Sequence, residues 1–190
     1  MTGKQTVRRL YVHKKTGCDI EAQGLLHDLR LSLGISGLTA LAIYNRYDVS
    51  GLSDSQFLRA QTVVFAEPPV DETDHADCDF GQPDFLVAVE ALPGQYDQRA
   101  DSAAQCLQII TGGERPLCRT ARVFAFSGTL TETEKDRIRN WLINPVEARE
   151  ASLDLPDSLA EAPDQPQDIE TVARFAAMDD ARREELAGNV

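Results

Sequence analysis

Along residues 7–150, one pattern of hydrophobic and polar residues occurs twice in succession, as two series. Each series opens with a short strand-like stretch, 9–13 in the first and 85–90 in the second. Apolar residues at helical spacing come next, followed by a longer strand-like stretch, 41–49 or 119–126. The pattern predicts an internal repeat at an offset of about 78 residues.

Helix-start signals recur at equivalent places in the two series. Asp19 and Asp97 stand where an N-cap is expected, before the first helix of each series. Capping boxes at residues 53–56 and 131–134, each preceded by a leucine, open the second helices. The predicted inner faces of these second helices are Phe57, Ala60, Gln61, Val64 and Phe65 in the first series and Ile138, Trp141 and Leu142 in the second.

The repeat predicts the fold class. Each half is expected to form β-α-β-α with a short final strand, which gives an α+β protein with an antiparallel or mixed sheet and helices on one face. The halves, 7–72 and 84–150, should pack as a pseudo-dimer within one N-terminal domain, 1–153. The Asp-rich residues 72–84 connect them.

The C-terminal residues differ in composition from the repeats. From Ala151 onward the chain has ten acidic and three basic residues, which supply much of its net charge of -12. Three prolines and repeated acids over 154–170 predict an extended, solvated linker. Residues 171–190 predict a helix with one short apolar face, which we expect to be the start of a linker domain.

Charge and composition narrow the classes of partner and compartment. The net charge of -12 disfavours nucleic acid and anionic membranes as partners, because their phosphates would be repelled. No apolar run approaches a membrane span or a secretory signal, so we expect a soluble, cytoplasmic protein. The four cysteines are widely spaced and are expected to be reduced, with Cys106 buried on the apolar side of a helix.

Signals for catalysis or metal binding are weak. None of the cysteines stands in the Gly-x-Cys-x-Gly turn typical of an activated thiol. His75 and Cys78 are close in sequence, but zinc sites usually need four ligands and no second pair completes this one. The Gly112-Gly113 turn closes a helix, whereas a phosphate loop opens one. We therefore predict no catalytic residue, no metal site and no cofactor in this chain.

One polar segment exceeds what a turn requires. Residues 92–106 lead from a strand into a helix and are dense in hydrogen-bonding side chains. The structural interpretation is a Pro-Gly turn followed by an Asp cap. The functional interpretation is a surface that meets a partner, or a substrate phosphate at the helix N-terminus. The candidate residues are Gln95, Asp97, Gln98, Arg99, Asp101 and Ser102.

Six segments resemble, in order and spacing, the start of bacterial large-type phosphoribosylformylglycinamidine synthases. The resemblance covers residues 7 to about 153. Its segments are Val7-Arg-Arg-Leu-Tyr-Val, Ile20-Glu-Ala-Gln-Gly-Leu-Leu, Asn45-Arg-Tyr-Asp-Val, Phe65-Ala-Glu-Pro-Pro-Val-Asp, Leu92-Pro-Gly-Gln-Tyr-Asp-Gln-Arg-Ala-Asp-Ser-Ala and Asn144-Pro-Val-Glu-Ala-Arg-Glu-Ala.

The resemblance implies a structural function in purine biosynthesis. The N-terminal region of that family is similar to a dimer of the small subunit found in multi-subunit versions of the enzyme, and a linker, ATP-binding synthetase domains and a glutaminase follow it. The full-length enzyme uses ATP, Mg and glutamine to convert formylglycinamide ribonucleotide to formylglycinamidine ribonucleotide. This chain is accordingly expected to bridge the glutaminase and synthetase parts and not to be catalytic alone.

A further interpretation stays open at this point. The chain stops in what resembles the early linker helix, so the family's catalytic segments would lie beyond its end. The alternative is a stand-alone regulatory or partner-binding module that works in trans, because paired β-α-β units of this size also suit small-effector sensors. The sequence leaves open whether the chain is a fragment and what its oligomeric state is.

Overall fold

The computed structural model describes residues 6–160, in which the two predicted halves are present. The first half consists of β1 (Arg8–Lys14), α1 (Ile20–Ser32), β2 (Leu38–Ser50), α2 (Asp54–Ala60), a π-helical turn that continues α2 (Gln61–Phe65), and β3 (Asp71–Asp74). The second consists of β4 (Phe85–Ala91), α3 (Gln98–Thr111), β5 (Leu117–Gly128), α4 (Glu132–Leu142) and β6 (Ala148–Glu150).

The strands form one six-stranded sheet in the order β3-β1-β2-β5-β4-β6. Every neighbouring pair is antiparallel, which settles the choice that the sequence left between antiparallel and mixed. The helices lie on one face of the sheet. Along β1, β2, β4 and β5, the apolar side chains that contact the helices alternate with side chains on the opposite face. The predicted α+β class with helices on one side is confirmed.

A pseudo-twofold axis relates the halves and passes through the centre of the sheet. Arg8 of β1 lies opposite Val49, and Phe85, the first residue of β4, lies opposite Phe126. Because Arg8 and Phe85 are the first residues of β1 and β4, their partners Val49 and Phe126 are equivalent positions. Asn45 and Arg122, each four positions earlier, are then equivalent as well. Asn45 and Arg122 lie directly opposite each other in the β2–β5 pair, as residues on such an axis must.

The helices interlock the two halves. One core cluster on the helical face combines first-half residues such as Leu10 and Phe57 with Ala103 and Leu107 of α3. The other combines Leu29 of α1 with side chains from β4, β5 and α4. The first helix of each half thus packs over the core of the other half. Because each core needs both halves, we expect the two to fold as one cooperative unit.

The second face of the sheet is covered without helices. Phe80, from the connection between the halves, packs edge-on against Tyr11 and Tyr44, with ring centroids 5.0 and 5.1 Å away. Ala151, just after β6, packs in the same cluster and donates its N–H to the carbonyl of Ala88 at 2.8 Å. Small residues on the strands let these coil segments lie close to the sheet.

The predicted capping boxes are both present. Ser53 accepts a hydrogen bond from the N–H of Gln56, and Thr131 does the same with Glu134, while each of these partners bonds back to the cap. The first helices differ from each other. Asp97 caps α3 by accepting from the N–H of Ala100, whereas the carboxylate of Asp19 makes no such bond to α1.

Two burial predictions are wrong. Trp141 was expected on the inner face of α4, but its side chain is about half exposed, and Ile138 is the fully buried residue of that helix. Cys106 was expected to be buried in α3, but it is exposed. The alanines Ala103 and Ala104, with Leu107, supply the inner face of α3 instead. In both errors, the residue lies beside the narrow buried face of its helix and not on it.

Only the first residues of the predicted acidic linker lie within the described chain. Over 154–160 most side chains are exposed, and Leu159 is buried. The remainder of the linker and the predicted helix over 171–190 lie outside the described residues.

Substitution of Gly37 tests the close approach of the two halves beside the central strands. A Cβ at Gly37 would overlap the carbonyl oxygen of Thr129, whereas one at Gly24 in α1 meets nothing within 4 Å. We expect Gly37→Ala to lower the free energy of unfolding by roughly 1–3 kcal/mol because backbone must shift. Gly24→Ala, the matched control, should raise it by about 0.5–1 kcal/mol. Urea unfolding of both variants measures the difference, and equal stabilities would contradict the close approach.

Candidate functional site

The polar segment 92–106, which contains the six candidate residues, is called the contact loop below. Two of the six candidates have structural roles. The Asp97 carboxylate accepts from the Ala100 N–H at 2.9 Å and from the Thr120 hydroxyl at 2.7 Å, which fixes the start of α3 on β5. Asp101 accepts from the Tyr96 hydroxyl at 3.0 Å and forms an ion pair with Arg115. These bonds hold the pKa of the Asp101 carboxyl below its usual value, with Arg115 as the largest cause. The loop therefore has a fixed base.

Three other candidates lie on the outside of that base. Gln95, Gln98 and Ser102 are exposed, and Tyr96 beside them is 73% exposed. An exposed aromatic ring among amide and hydroxyl groups is typical of a protein-contact surface. All three side chains stand just before or in the first turns of α3.

Arg99 separates from the other candidates and faces a cleft. Its guanidinium donates one long hydrogen bond, 3.4 Å, to the Tyr47 hydroxyl, and it forms no ion pair within residues 6–160. The cleft has a volume of about 680 Å³ and lies between α1, the π-helical turn and the start of α3, above β1 and β2. Its lining includes Val12, Lys14, Asp19, Glu21, Leu41, Ile43, Asn45, Tyr47, Val63, Val64, Phe65, Glu67, Asp71 and Arg99.

Equivalent residues at the cleft differ between the halves. Glu21 and Arg99 are the second residues of α1 and α3. In the second half, Arg122 donates to Glu21 at 2.6 Å, and Glu21 also lines the cleft. The equivalent pairing in the first half would join Asn45 and Arg99, which have no opposite charges. That position is open.

The N-cap positions differ in the same way. Asp97 is tied to Thr120, but the residue equivalent to Thr120 is Ile43, which has no hydroxyl group to donate. Asp19 instead accepts from the Gly17 N–H at 3.1 Å and the Gln23 amide at 2.8 Å, and it lines the cleft. Asp97 thus uses its carboxylate to bond to β5, whereas the carboxylate of Asp19 borders the cleft.

The outer end of the cleft contains an ion pair. Lys14 Nζ lies 2.7 Å from an oxygen of Asp71, whose side chain is largely buried. Burial opposes ionisation of Asp71, but the hydrogen bonds from Lys14 and from the Glu67 N–H prevail and hold the pKa of Asp71 below its usual value. The Glu67 carboxylate itself is exposed and forms no ion pair in the described part of the chain. The π-helical turn beside it is a feature often found at functional sites.

A second polar group of residues lies buried on the opposite face of the sheet. Arg9 donates to both oxygens of Asp48, at 2.6 and 2.8 Å, and also to the carbonyls of Leu153 and Asp154. Arg46, beside it, donates to the carbonyl of Ser152 at 2.6 Å. Burial lowers the pKa of Arg46, whereas Asp48 more than offsets the effect of burial on the pKa of Arg9 and raises it. These bonds fasten residues 152–154 to the sheet.

The cleft and the arginine group were not predicted from the sequence. Arg46 and Asp48 stand at alternate positions of β2, and Arg9 lies opposite Asp48 on β1; alternation alone indicates that such charged side chains face solvent. The sequence signal for the arginine group was that positive and negative side chains stand on one face of neighbouring strands, where they can form ion pairs. The cleft depends on differences between equivalent residues, such as Glu21 and Arg99, which a search for similarity passes over.

Neither a metal centre nor a membrane span is found in the part of the chain described. Over residues 6–160, no group of three or more His, Cys, Asp and Glu side chains is placed to hold a metal ion. The helices in this range are too short or too polar to cross a membrane.

Comparison with known proteins adds no assignment. No protein-family model matches the sequence, and no curated protein is significantly similar to it.

Removing Arg9 tests whether the buried arginine group holds residues 152–154. We expect Arg9→Leu to lower the free energy of unfolding by about 3–5 kcal/mol, because Asp48 would stay buried with only its longer ion pair to Arg46, at 3.4 Å. The control is Arg149→Leu, which removes a half-exposed pair with Glu90 at 2.7 Å on the same face and should lower it by about 1 kcal/mol or less. Calorimetric melting compares the two, and equal losses would contradict the role given to Arg9.

The cysteines should differ sharply in reactivity. Burial raises the pKa of the Cys118 thiol to about 12, whereas Cys18 and Cys106 are exposed. Because the thiolate is the reactive form, iodoacetamide at pH about 8 should label Cys18 and Cys106 and leave Cys118 unmodified until urea unfolds the chain. Peptide mass spectrometry measures the labelling. Modification of Cys118 in the folded chain at the rate of Cys106 would contradict its burial.

Proposed function

We propose that this chain is the N-terminal assembly domain of a phosphoribosylformylglycinamidine synthase, which bridges its glutaminase and synthetase parts and is not catalytic alone. The observation that carries the proposal is the pseudo-twofold packing of two β-α-β-α-β halves into one sheet. The resemblance implies a region similar to a dimer of a small subunit, and the repeat was inferred from the residues independently of it. The architecture and the resemblance thus agree.

The contact loop supports an assembly role. Asp97 and Asp101 hold its base through bonds to α3, β5 and Arg115, so its outer side chains start from a fixed backbone. A surface that is already ordered loses less conformational entropy on binding than a mobile one. Gln95, Gln98 and Ser102 are therefore the proposed contacts with the catalytic parts.

The sheet edges favour docking through that loop over strand addition. The outer strands are short, and β3 consists of Asp71, Glu72, Thr73 and Asp74, whereas β6 is Ala-Arg-Glu. Short, charged edge strands resist pairing with strands of another chain. Partner domains are accordingly proposed to meet the helical side and its loops.

The proposal is tested by comparing two nitrogen sources in the full-length enzyme. A triple variant, Gln95→Ala, Gln98→Ala and Ser102→Ala, should lower glutamine-dependent formation of formylglycinamidine ribonucleotide roughly tenfold or more, by the loss typical of interface contacts. Activity with added ammonia should remain, because an assembly domain affects the transfer between sites and not the synthetase chemistry. Product formation is measured with each nitrogen source.

The matched control is Gln108→Ala, an exposed glutamine on the same helix but away from the loop. It should leave both activities unchanged. Arg99 is kept intact in the triple variant so that the cleft is unaffected. Equal loss of both activities, or no loss of either, would contradict the proposed bridging role of the loop.

A further inference from the structure

We propose that the cleft between α1, the π-helical turn and α3 binds a free α-amino acid with a large apolar side chain. In this arrangement Asp19 and Glu67 receive the ammonium group, Arg99 and Asn45 receive the carboxylate, and the side chain lies against the apolar floor. The site is separate from the proposed contact loop, and the inference does not rest on the proposed assembly function.

The size and apolar surfaces of the cleft suit a small organic molecule. Its volume of about 680 Å³ lies in the range typical of small-molecule pockets, roughly 300–1,000 Å³. Val12 and Ile43 form the floor, and Val64 and Phe65 of the π-helical turn form one wall. The rings of Tyr47 and Phe65 lie 4.7 Å apart and give this wall an aromatic surface. The transfer free energy of an apolar side chain from water to these surfaces would be favourable.

The charges around these surfaces call for a ligand that carries both signs. Glu21 is paired with Arg122 and Asp71 with Lys14, so these side chains already have partners. Asp19 and Glu67 form no ion pair within residues 6–160 and can receive an ammonium group. Arg99 is the complementary cation, with only its long bond to Tyr47. A zwitterion satisfies both ends.

Other ligand classes match this lining less well. A phosphate or nucleotide would place multiple negative charges among Asp19, Glu67 and Asp71, with Arg99 as the sole unpaired cation among the described lining residues. A simple amine would bring no anion to Arg99, and a simple carboxylate would bring no cation to Asp19 and Glu67. Loss of either charge from the ligand should therefore weaken binding.

The asymmetry between the halves supports a specific site over an unfilled space. In the second half the equivalent side chains bond to each other, Arg122 to Glu21 and Thr120 to Asp97. The first half has Asn45, Ile43 and Arg99 at the corresponding places. Each change either removes an internal contact or presents a polar group to the cleft.

Calorimetric titration of the 190-residue chain with L-phenylalanine tests the proposal. We expect one site per chain and a dissociation constant on the order of 0.1–1 mM, as for a ligand of this size. The probes 3-phenylpropionate, which lacks the amine, and 2-phenylethylamine, which lacks the carboxylate, should each bind at least about tenfold more weakly. L-Glutamine, whose side chain is polar, should also bind at least about tenfold more weakly.

Two variants and their controls locate the site. Arg99→Gln should weaken L-phenylalanine binding about tenfold without changing binding of 2-phenylethylamine, which has no carboxylate. Glu67→Gln should weaken both L-phenylalanine and 2-phenylethylamine. The exposed residues Arg30 and Glu114 lie outside the cleft, so Arg30→Gln and Glu114→Gln serve as matched controls and should change neither.

Three results would overturn the proposal. The first is the absence of heat from L-phenylalanine up to about 10 mM, well above the expected dissociation constant. The second is binding of 3-phenylpropionate or L-glutamine as tight as that of L-phenylalanine. The third is L-phenylalanine binding that Arg99→Gln and Glu67→Gln both leave unchanged. Because these measurements involve no enzyme activity, failure of the bridging role would leave them interpretable.

Discussion

The antiparallel pairing of β2 with β5 is the interaction on which the rest of the structure depends. The pairing extends from Leu38 opposite Gly128 to Ser50 opposite Leu117 and places the pseudo-twofold axis at Asn45 and Arg122. Across this pairing, α1 and α3 each pack in a core that contains side chains of the other half. If this pairing were lost, both helical-side cores would be divided.

Local signals were sufficient to predict the elements, their order and the repeat. Capping boxes at Ser53 and Thr131 depend on residues close in sequence, and both formed as expected. Burial depended on contacts from further away. Trp141 lies near the end of a short helix, where periodicity defines the inner face poorly. Cys106 faces solvent because small alanines, and not the thiol, meet the sheet.

The buried charges show why the second face could not be predicted from alternation. Arg9 and Asp48 look like solvent-facing strand residues until residues 152–154, far along the chain, are placed over them. Their burial is stable because each charge is paired and the remaining donors meet backbone carbonyls. Likewise, only the residues of the contact loop could be proposed from composition, whereas the cleft that Arg99 faces required the positions of both halves.

A duplicated scaffold provides two equivalent places above its sheet, and this chain uses them differently. At one, Arg122 and Glu21 form an ion pair, whereas at the other Asn45 and Arg99 line the cleft without a bond between them in residues 6–160. The exposed loop at the start of α3 lies beside the open place, since Arg99 belongs to the same helix turn as Gln98. A site for a small molecule and a surface for partner domains would thus share one rigid support.

The central claim, that this domain joins catalytic parts through its contact loop, is tested most directly by amide hydrogen exchange. The exchange of the chain is measured alone and with the glutaminase and synthetase parts added. The account predicts slower exchange of amides over residues 92–102 in the complex, with little change at the edge strands β3 and β6. Unchanged exchange in the loop, or protection confined to those edges, would contradict it.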